Sequence, residues 1–192
     1  MTLTGTQRLE TKRLILRLFQ REDAEDMFRN WACDSEVTRY LTWPAHESVD
    51  VTRHLLEDWI ARYGGMDYFN WAIEHRETGH VIGNISVVRL DTVREAAEIG
   101  YCLSRAFWGQ SIMPEALRAV MDYLFDTVGL WRVAACHDAR NAKSGRVMEK
   151  AGMLREGVWR GAGRNNQGIC DEVWYAALRT DRAQASDVNR SL

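Results

Sequence analysis

A short run of small, uncharged residues stands immediately before a long amphipathic segment, and its residue types could bind an anion. The run reads WGQSIMP over residues 108–114. A helix start carries free backbone N–H groups and the positive end of the helix dipole, so small residues there let an anion approach closely. Gly109 would supply the turn, whereas Pro114 has no N–H to offer. Four residues would donate to a phosphate or diphosphate: Gln110, Ser111, Ile112 and Met113.

The same run has a plainer interpretation as a turn, because many loops before helices contain glycine and serine. It lacks the Gly-Lys-Ser/Thr of a Walker loop and the triple glycine of a dinucleotide fingerprint. On these residues alone, phosphate binding and a simple turn both stay open.

Two regular elements must hold this run in place. AAEIGYCL, residues 96–103, alternates as a strand does, with Ile99 and Leu103 on one face and Glu98 on the other. After the run, apolar residues recur at helical spacing from Pro114 to Val128. The run is therefore expected to be a loop that leads from a strand into a helix.

The rest of the chain predicts a single α/β domain. A strand pattern precedes two helical segments in the first third, a hairpin then leads into residues 96–103, and the second half contains strand–helix–strand units. Such units require parallel neighbours, so the sequence predicts a mixed sheet flanked by helices. The predicted domain spans residues 9–180, with flexible termini at 1–8 and 181–192.

Composition favours a globular protein without a metal site or a nucleic-acid partner. The 192 residues are 46% apolar and 27% charged, with a formal net charge of −2, so no basic field would attract a nucleic acid. The four cysteines are scattered outside any Cys-x-x-Cys pair, which predicts unpaired thiols in a reducing compartment. The sequence shows no signal peptide or membrane-spanning run, so we expect a cytoplasmic location without membrane contact.

The residues around the bend resemble the diphosphate-binding loop of the GNAT acetyltransferase superfamily. Members of its branch of ribosomal-protein N-terminal acetyltransferases commonly read Trp-Gly-x-Gly-x-Ala-x-Glu-Ala at this place. The chain departs from the pattern at Ser111 and Met113, whose side chains beside the expected diphosphate predict weaker cofactor binding. It matches the pattern at Trp108, Gly109, Glu115 and Ala116.

Further segments resemble the same branch, in the same order, from about Leu9 to Thr180. They are LETKRLILR in the first strand, ETGHVIGNISV in a central hairpin, AAEIGYCL, NAKSGRVMEKAGM, and CDEVWYAAL in the last strand. The resemblance implies a single-domain α/β fold with a mixed, largely antiparallel sheet. It also implies that the sheet splays between its fourth and fifth strands, here residues 97–103 and 130–137.

The resemblance implies an N-acetyltransferase that moves acetyl from acetyl-CoA directly to a primary amine. It implies cofactor contacts through the bend, through the main chain of Leu103 and, for the pantetheine arm, through Asn141, which would also cap its helix. It places Ser144 beside the cofactor sulfur as a general acid or hydrogen-bond donor. The alternative for Ser144 is a helix residue that bonds its own backbone.

An attacking amine must lose a proton, and two carboxylates are candidates for the base. Glu98 lies on the strand that is expected to hold the cofactor, and a solvated residue at a strand edge is the equal alternative. Asp171 lies on the last strand, near the expected acceptor cleft. For Asp171 a structural, hydrogen-bonding carboxylate is the preferred interpretation.

The sequence does not choose the acceptor. The leading hypothesis is a protein or peptide N-terminal α-amine; the alternatives are a small amine, such as a drug, an amino sugar or an amino acid, and a non-catalytic acyl-CoA-binding domain. Acceptors in the superfamily enter beside the first helices and the last hairpin, where Trp43 and Trp159 could line a cleft, although core packing is the commoner role of tryptophan. The superfamily includes monomers and dimers, and we expect a homodimer.

Overall fold

Within residues 1–181, which the computed structural model describes, the chain forms one eight-stranded mixed sheet. The strands are β1 (Leu9–Glu10), β2 (Leu14–Arg17), β3 (Asn70–His75), β4 (Val81–Asp91), β5 (Ala96–Leu103), β6 (Arg132–Asp138), β7 (Leu154–Asn165) and β8 (Gly168–Leu178). Their order across the sheet is β1-β2-β3-β4-β5-β6-β8-β7. The β5–β6 pair is parallel, and the other neighbours in this part of the chain are antiparallel. The predicted mixed, largely antiparallel sheet is confirmed.

Helices cover both faces of this sheet. α4 (Ile112–Tyr123) and α5 (Ala142–Ala151) pack against the larger core on one face. α1 (Ala24–Met27), α2 (Ser35–Thr38) and α3 (Val49–Ala61) lie over the N-terminal part of the other face. Each large apolar side chain that is fully buried in these cores contributes roughly 1.5–3 kcal/mol to stability. The buried stripe of α4 includes Ala116, Leu117, Val120 and Met121.

Strands β5 and β6 are neighbours over part of their length and then diverge. Their pairing ends where Glu98 lies opposite Ala134. Beyond that point β5 continues against β4 as far as Leu103, and β6 continues against β8 as far as Asp138. The strands therefore enclose a wedge-shaped gap, which we call the wedge, and the predicted splay is confirmed.

The helix that follows the loop differs from the sequence prediction at both ends. It begins at Ile112, so Pro114 is the third residue of the first turn, where a missing N–H costs no helical hydrogen bond. After Tyr123 the chain continues as a π-helical segment, Leu124–Val128, rather than as regular α-helix. Gly129 then ends the helix in a left-handed conformation with φ of 82°.

The structure places hydrogen bonds in the N-terminal segment 1–8, which the sequence predicts to be flexible. The backbone N–H of Thr2 donates to the carbonyl of Val128 at 2.8 Å, which ties the chain start to the end of the helical region. The predicted C-terminal segment 181–192 lies outside the described residues apart from position 181. Among residues 1–181, none of the helices combines the length and apolar content that a bilayer crossing requires.

Candidate functional site

A cleft of about 750 Å³ opens beside the wedge. Its walls are the C-terminal end of β5, the loop into α4, and one face of α5. A cleft of this size and composition suits an extended ligand with several polar groups. Seven residues singled out in the sequence line it: Leu103, Gly109, Ser111, Ile112, Met113, Asn141 and Ser144.

The loop between β5 and α4 turns through two left-handed residues. Gly109 has φ of 79°, and Ser111, the N-cap of α4, has φ of 56° and ψ of 27°. Glycine adopts this conformation freely, whereas a residue with a Cβ does so at a cost of roughly 1–2 kcal/mol. The pattern of the GNAT branch has glycine at the position of Ser111. The loop keeps the left-handed conformation that suits glycine, and the serine is therefore strained.

We expect Ser111→Gly to stabilise the protein, because glycine removes the Cβ from a left-handed position. The free energy of unfolding should rise by about 1 kcal/mol and Tm by about 2–4 °C, measured by thermal unfolding without ligand. Ser48→Gly is the matched control, since Ser48 is also an N-cap without a side-chain cap bond but has an extended φ of −151°. Ser48→Gly should not raise Tm. An equal rise of Tm in both variants, or no rise in Ser111→Gly, would contradict the claim that Ser111 is strained.

The cleft is more basic than the chain as a whole. The chain carries a net charge of −2, yet among the described residues that line the cleft Glu36 is the one acidic residue beside several cations, of which Arg140 is paired with Asp138. The Lys150 ammonium lies 3.5 Å from the Ser111 hydroxyl, and the Lys143 ammonium lies 4.3 Å from the centre of the Trp108 ring. A local positive field of this kind attracts anionic ligands. The basic lining residues are Arg39, Arg140, Lys143, Arg146 and Lys150.

Two hydroxyl groups meet where the wedge opens into the cleft. The hydroxyl oxygens of Tyr101, on β5, and Ser144, in the first turn of α5, lie 2.8 Å apart. The phenol also donates to the Ser144 carbonyl at 3.1 Å. Burial raises the pKa of Tyr101, so its phenol stays protonated at neutral pH. We call these two residues the donor pair, because together they can give a hydrogen bond to a ligand in the cleft.

Asn141 is the N-cap residue of α5, as the sequence predicts, but its side chain makes no cap hydrogen bond. Its backbone carbonyl instead accepts a hydrogen bond from the N–H of Ser144 at 3.0 Å. A backbone turn therefore starts the helix, and the Asn141 residue lines the cleft.

Glu98 lies at the narrow end of the wedge, on the face of β5 opposite Tyr101. Its side chain is half-buried, and burial raises the pKa of Glu98, with a further increase from the negative charge of Glu172 and an opposing effect of Arg89. The Cys136 thiol lies 3.9 Å from the Glu98 carboxylate, and burial together with the nearby carboxylates raises the pKa of Cys136 to about 12. Glu98 is therefore a carboxylate that takes up a proton more readily than usual.

The side chains of Asp171 and Gln110 do not point into the cleft. Asp171 is exposed, and its carboxylate accepts the backbone N–H of Gly161 in the β7–β8 hairpin at 2.8 Å. The Gln110 side chain donates to the carbonyl of Ala106 at 2.9 Å, so Gln110 can offer a ligand its backbone rather than its amide group. Asp171, Gln110 and Glu98 are not among the lining residues of the cleft.

Three groups near the site were not singled out by the sequence. The alternation of β5 places Tyr101 on the same face as Ile99 and Leu103, but nothing in the sequence indicated that its hydroxyl group contacts Ser144. Arg13 binds two carbonyls of the loop, from 97 and 98 residues away, and no local sequence pattern indicates contacts at such separations. Glu172 acts on the pKa of Glu98 from another strand.

Comparison with known proteins identifies one family. The profile described as "Acetyltransferase (GNAT) domain" matches residues 13–154. The chain is 36% identical over 152 residues to "Uncharacterized N-acetyltransferase YoaA" of Bacillus subtilis (strain 168), covering 79% of this chain and 85% of the relative. It is 26% identical over 159 residues to the ribosomal protein uS5-alanine N-acetyltransferase of Escherichia coli (strain K12), covering 78% and 79%. The structure of a GNAT-family acetyltransferase from Bacillus anthracis matches with a TM-score of 0.80 and 25% identity, covering 91% of this chain and 99% of that one.

The family match spans every element around the cleft, because residues 13–154 include β5, the loop, α4 and α5. The splayed strands, the small-residue loop and these similarities agree with one another. The chain belongs to the GNAT acetyltransferase family and is an N-acetyltransferase.

Proposed function

We propose that this chain transfers the acetyl group of acetyl-CoA directly to a primary amine through the wedge between β5 and β6. The observation that carries the proposal is the placement of complementary groups on the two faces of one gap. Tyr101 and Ser144 offer hydroxyl groups on the cleft side, and Glu98 offers a carboxylate with a raised pKa on the other side. A thioester in the gap would meet hydrogen-bond donors from one face and a base from the other.

The cleft supports acetyl-CoA as the acetyl donor, which is the donor that GNAT enzymes use. Its diphosphate would bind the backbone N–H groups of residues 110–113 at the start of α4, with Lys150 nearby. The pantetheine arm would follow the main chain of Leu103 and pass Asn141, both of which line the cleft. Four basic lining residues besides Arg140, which is paired with Asp138, suit the negative charge of such a ligand.

Direct transfer needs a base for the attacking amine and a donor for the departing thiolate, and the site offers a group for each. An α-amino group has a pKa of about 8, so the ammonium must lose a proton to Glu98 before its nitrogen bonds to the carbonyl carbon. As the carbon–sulfur bond breaks, the nitrogen releases its second proton, and the donor pair gives the departing thiolate a hydrogen bond, or a proton that this second proton replaces. Asp171 is the second candidate base, although its hydrogen bond to Gly161 favours a structural role.

We propose a protein or peptide N-terminal α-amine as the acceptor. The name of one relative, a ribosomal protein uS5-alanine N-acetyltransferase, supports this class. The exposed aromatic surface on the same side of the sheet as Glu172 supports it too. Trp159 is 59% exposed, pairs in register with Glu172, and its ring centre lies 4.8 Å from that of Trp174. The exposed Trp159 indole, packed on the half-buried Trp174, gives apolar contact area to residues that follow a cationic N-terminus.

A small amine is the alternative, and a contact at the hairpin tip favours it. The Asn166 side chain, between β7 and β8, donates to the carbonyls of Thr38 and Trp43 at 2.8 and 2.7 Å. This contact joins the hairpin to the end of α2 and to the segment after it, and we infer that it narrows the path of an acceptor to the wedge from the side of these elements.

The proposal is tested by measuring the release of free thiol from acetyl-CoA with a panel of amines. Peptides with a free N-terminus should stimulate release, and the same peptides with a blocked N-terminus are the matched controls. Stimulation by aminoglycosides or polyamines alone would replace the acceptor with a small amine. Binding of acetyl-CoA without stimulation by any amine would favour the non-catalytic acyl-CoA-binding alternative.

A further inference from the structure

The guanidinium group of Arg13, directly before β2, holds the loop before α4. Its two terminal nitrogens donate to the carbonyls of Gln110 at 2.9 Å and Ser111 at 3.0 Å. Its remaining nitrogen, Nε, donates to the Glu115 carboxylate at 2.7 Å. The other oxygen of Glu115 accepts the backbone N–H of Arg13 at 2.9 Å and the Thr11 hydroxyl at 2.6 Å. We call Arg13 and Glu115 the loop clamp.

The loop clamp determines which way the peptide groups of the loop face. In a trans peptide the carbonyl and the N–H of the next residue point in opposite directions, and no cis peptide occurs in the described part of the chain. Because the carbonyls of Gln110 and Ser111 turn toward Arg13, the N–H groups of Ser111 and Ile112 point away from it. Ser111 and Ile112 both line the cleft, whereas Arg13 and Glu115 do not. The two N–H groups therefore face the cleft.

The loop clamp also acts on two features that would oppose the binding of an anion here: the negative charge of Glu115 and the strained backbone of Ser111. Glu115 lies in the first turn of α4, where an unpaired carboxylate would repel a phosphate, and Arg13 pairs with it. The side chains are 37% exposed for Arg13 and 17% for Glu115, so the pair is partly shielded from solvent. Ser111 keeps its strained left-handed conformation while its carbonyl is held by the arginine.

We propose that Arg13 and Glu115 are positioning residues for the diphosphate of the acetyl donor. They hold the amides of Ser111 and Ile112 in the orientation that receives the diphosphate, and they act from the side of the loop away from the cleft. This inference rests on the proposed function, in which the diphosphate binds this loop. It adds that the segment between β1 and β2, far away in sequence, controls the affinity for the acetyl donor.

Two substitutions of Arg13 test the proposal. Arg13→Gln removes the charged fork, and Arg13→Lys keeps the charge without the paired donors. Calorimetric titration with coenzyme A should show a Kd about tenfold higher for both variants, as expected when charge-assisted hydrogen bonds are lost. Acetyl-pantetheine has no diphosphate, so kcat/KM with it and an amine that the wild type acetylates should change by less than about twofold.

Arg76→Gln is the matched control for a general loss of stability. The Arg76 side chain is 36% exposed, and it binds Glu10 and the carbonyl of Thr11 at the same corner of the sheet as Arg13. Since its partners lie outside the loop, Arg76→Gln should leave the Kd for coenzyme A unchanged.

Thermal unfolding of each ligand-free variant is measured first, and Arg13→Lys carries the comparison if Arg13→Gln does not fold. Equal losses with coenzyme A and acetyl-pantetheine would overturn the proposal, and so would an unchanged Kd in a folded Arg13 variant. Failure of the wild-type protein to bind coenzyme A would instead overturn the proposed function.

Discussion

Glu98→Gln should lower kcat by about 100-fold or more, because general-base catalysis commonly supplies roughly 10²–10⁴-fold. Glutamine keeps the shape of the side chain but cannot accept the proton of the amine. The KM for acetyl-CoA should change little, since Glu98 lies outside the lining of the cleft proposed to hold it. Steady-state kinetics with an amine that the wild type acetylates provide the measurement. A variant that keeps most of kcat would remove Glu98 as the base.

The pH dependence of the rate gives a second measurement of Glu98. Burial and then the charge of Glu172 raise the pKa of Glu98, so the wild-type rate should rise with pH through that raised value as the carboxylate ionises. Glu98→Gln should lose this rise and keep the one due to the amine itself. In Glu172→Gln the pKa of Glu98 falls, so the rise should move to lower pH. If the rise stays in place in Glu98→Gln, it belongs to another group.

Glu98→Gln should lower the activity without lowering the stability of the folded protein. A carboxyl group whose pKa is raised in the folded protein binds its proton more tightly there than in the unfolded chain. The wild type therefore loses stability as the pH rises from the ordinary value of 4.5 through the raised pKa of Glu98, and the loss persists above it. Glutamine carries no charge, so at neutral pH the variant should unfold at the same temperature as the wild type or higher.

Ser144→Ala should lower kcat by about 100-fold while changing the affinity for coenzyme A far less, because removal of one donor to a developing negative charge has effects of roughly 10²–10³-fold. Tyr101→Phe should act through the same 2.8 Å contact. The double variant should then lose little more than Ser144→Ala alone, since the two hydroxyl groups work as one unit. Kinetics and calorimetry measure the two quantities. Equal losses of kcat and affinity would indicate a structural role for Ser144.

Tyr175→Phe is the control for the donor pair. The Tyr175 hydroxyl donates to Glu149, also on α5, at 3.0 Å, and Tyr175 is not a lining residue of the cleft. Its removal should leave kcat near that of the wild type. If Tyr175→Phe lowers kcat as much as Ser144→Ala does, the effect comes from the packing of α5 and not from the hydroxyl groups in the wedge.

The sequence by itself determined the local elements around the site. Alternating residues identified β5, the apolar stripe identified α4, and the run of small residues placed the loop between them. These signals are periodic and local, so they survive without knowledge of the fold. The resemblance of five ordered segments then added the splay of the sheet and the family, because it compares the whole chain with a known arrangement.

Only the tertiary structure decided which side chains meet and how they are charged. Arg13 reaches Gln110 across 97 residues and Tyr101 meets Ser144 across 43, contacts that depend on strand order and helix packing. Glu98 and Asp171 both had the pattern of strand carboxylates, yet burial raises the pKa of Glu98 while Asp171 is exposed in a hairpin. Residue type determines what a side chain can do, whereas burial, register and neighbours from distant segments determine its protonation and its partners.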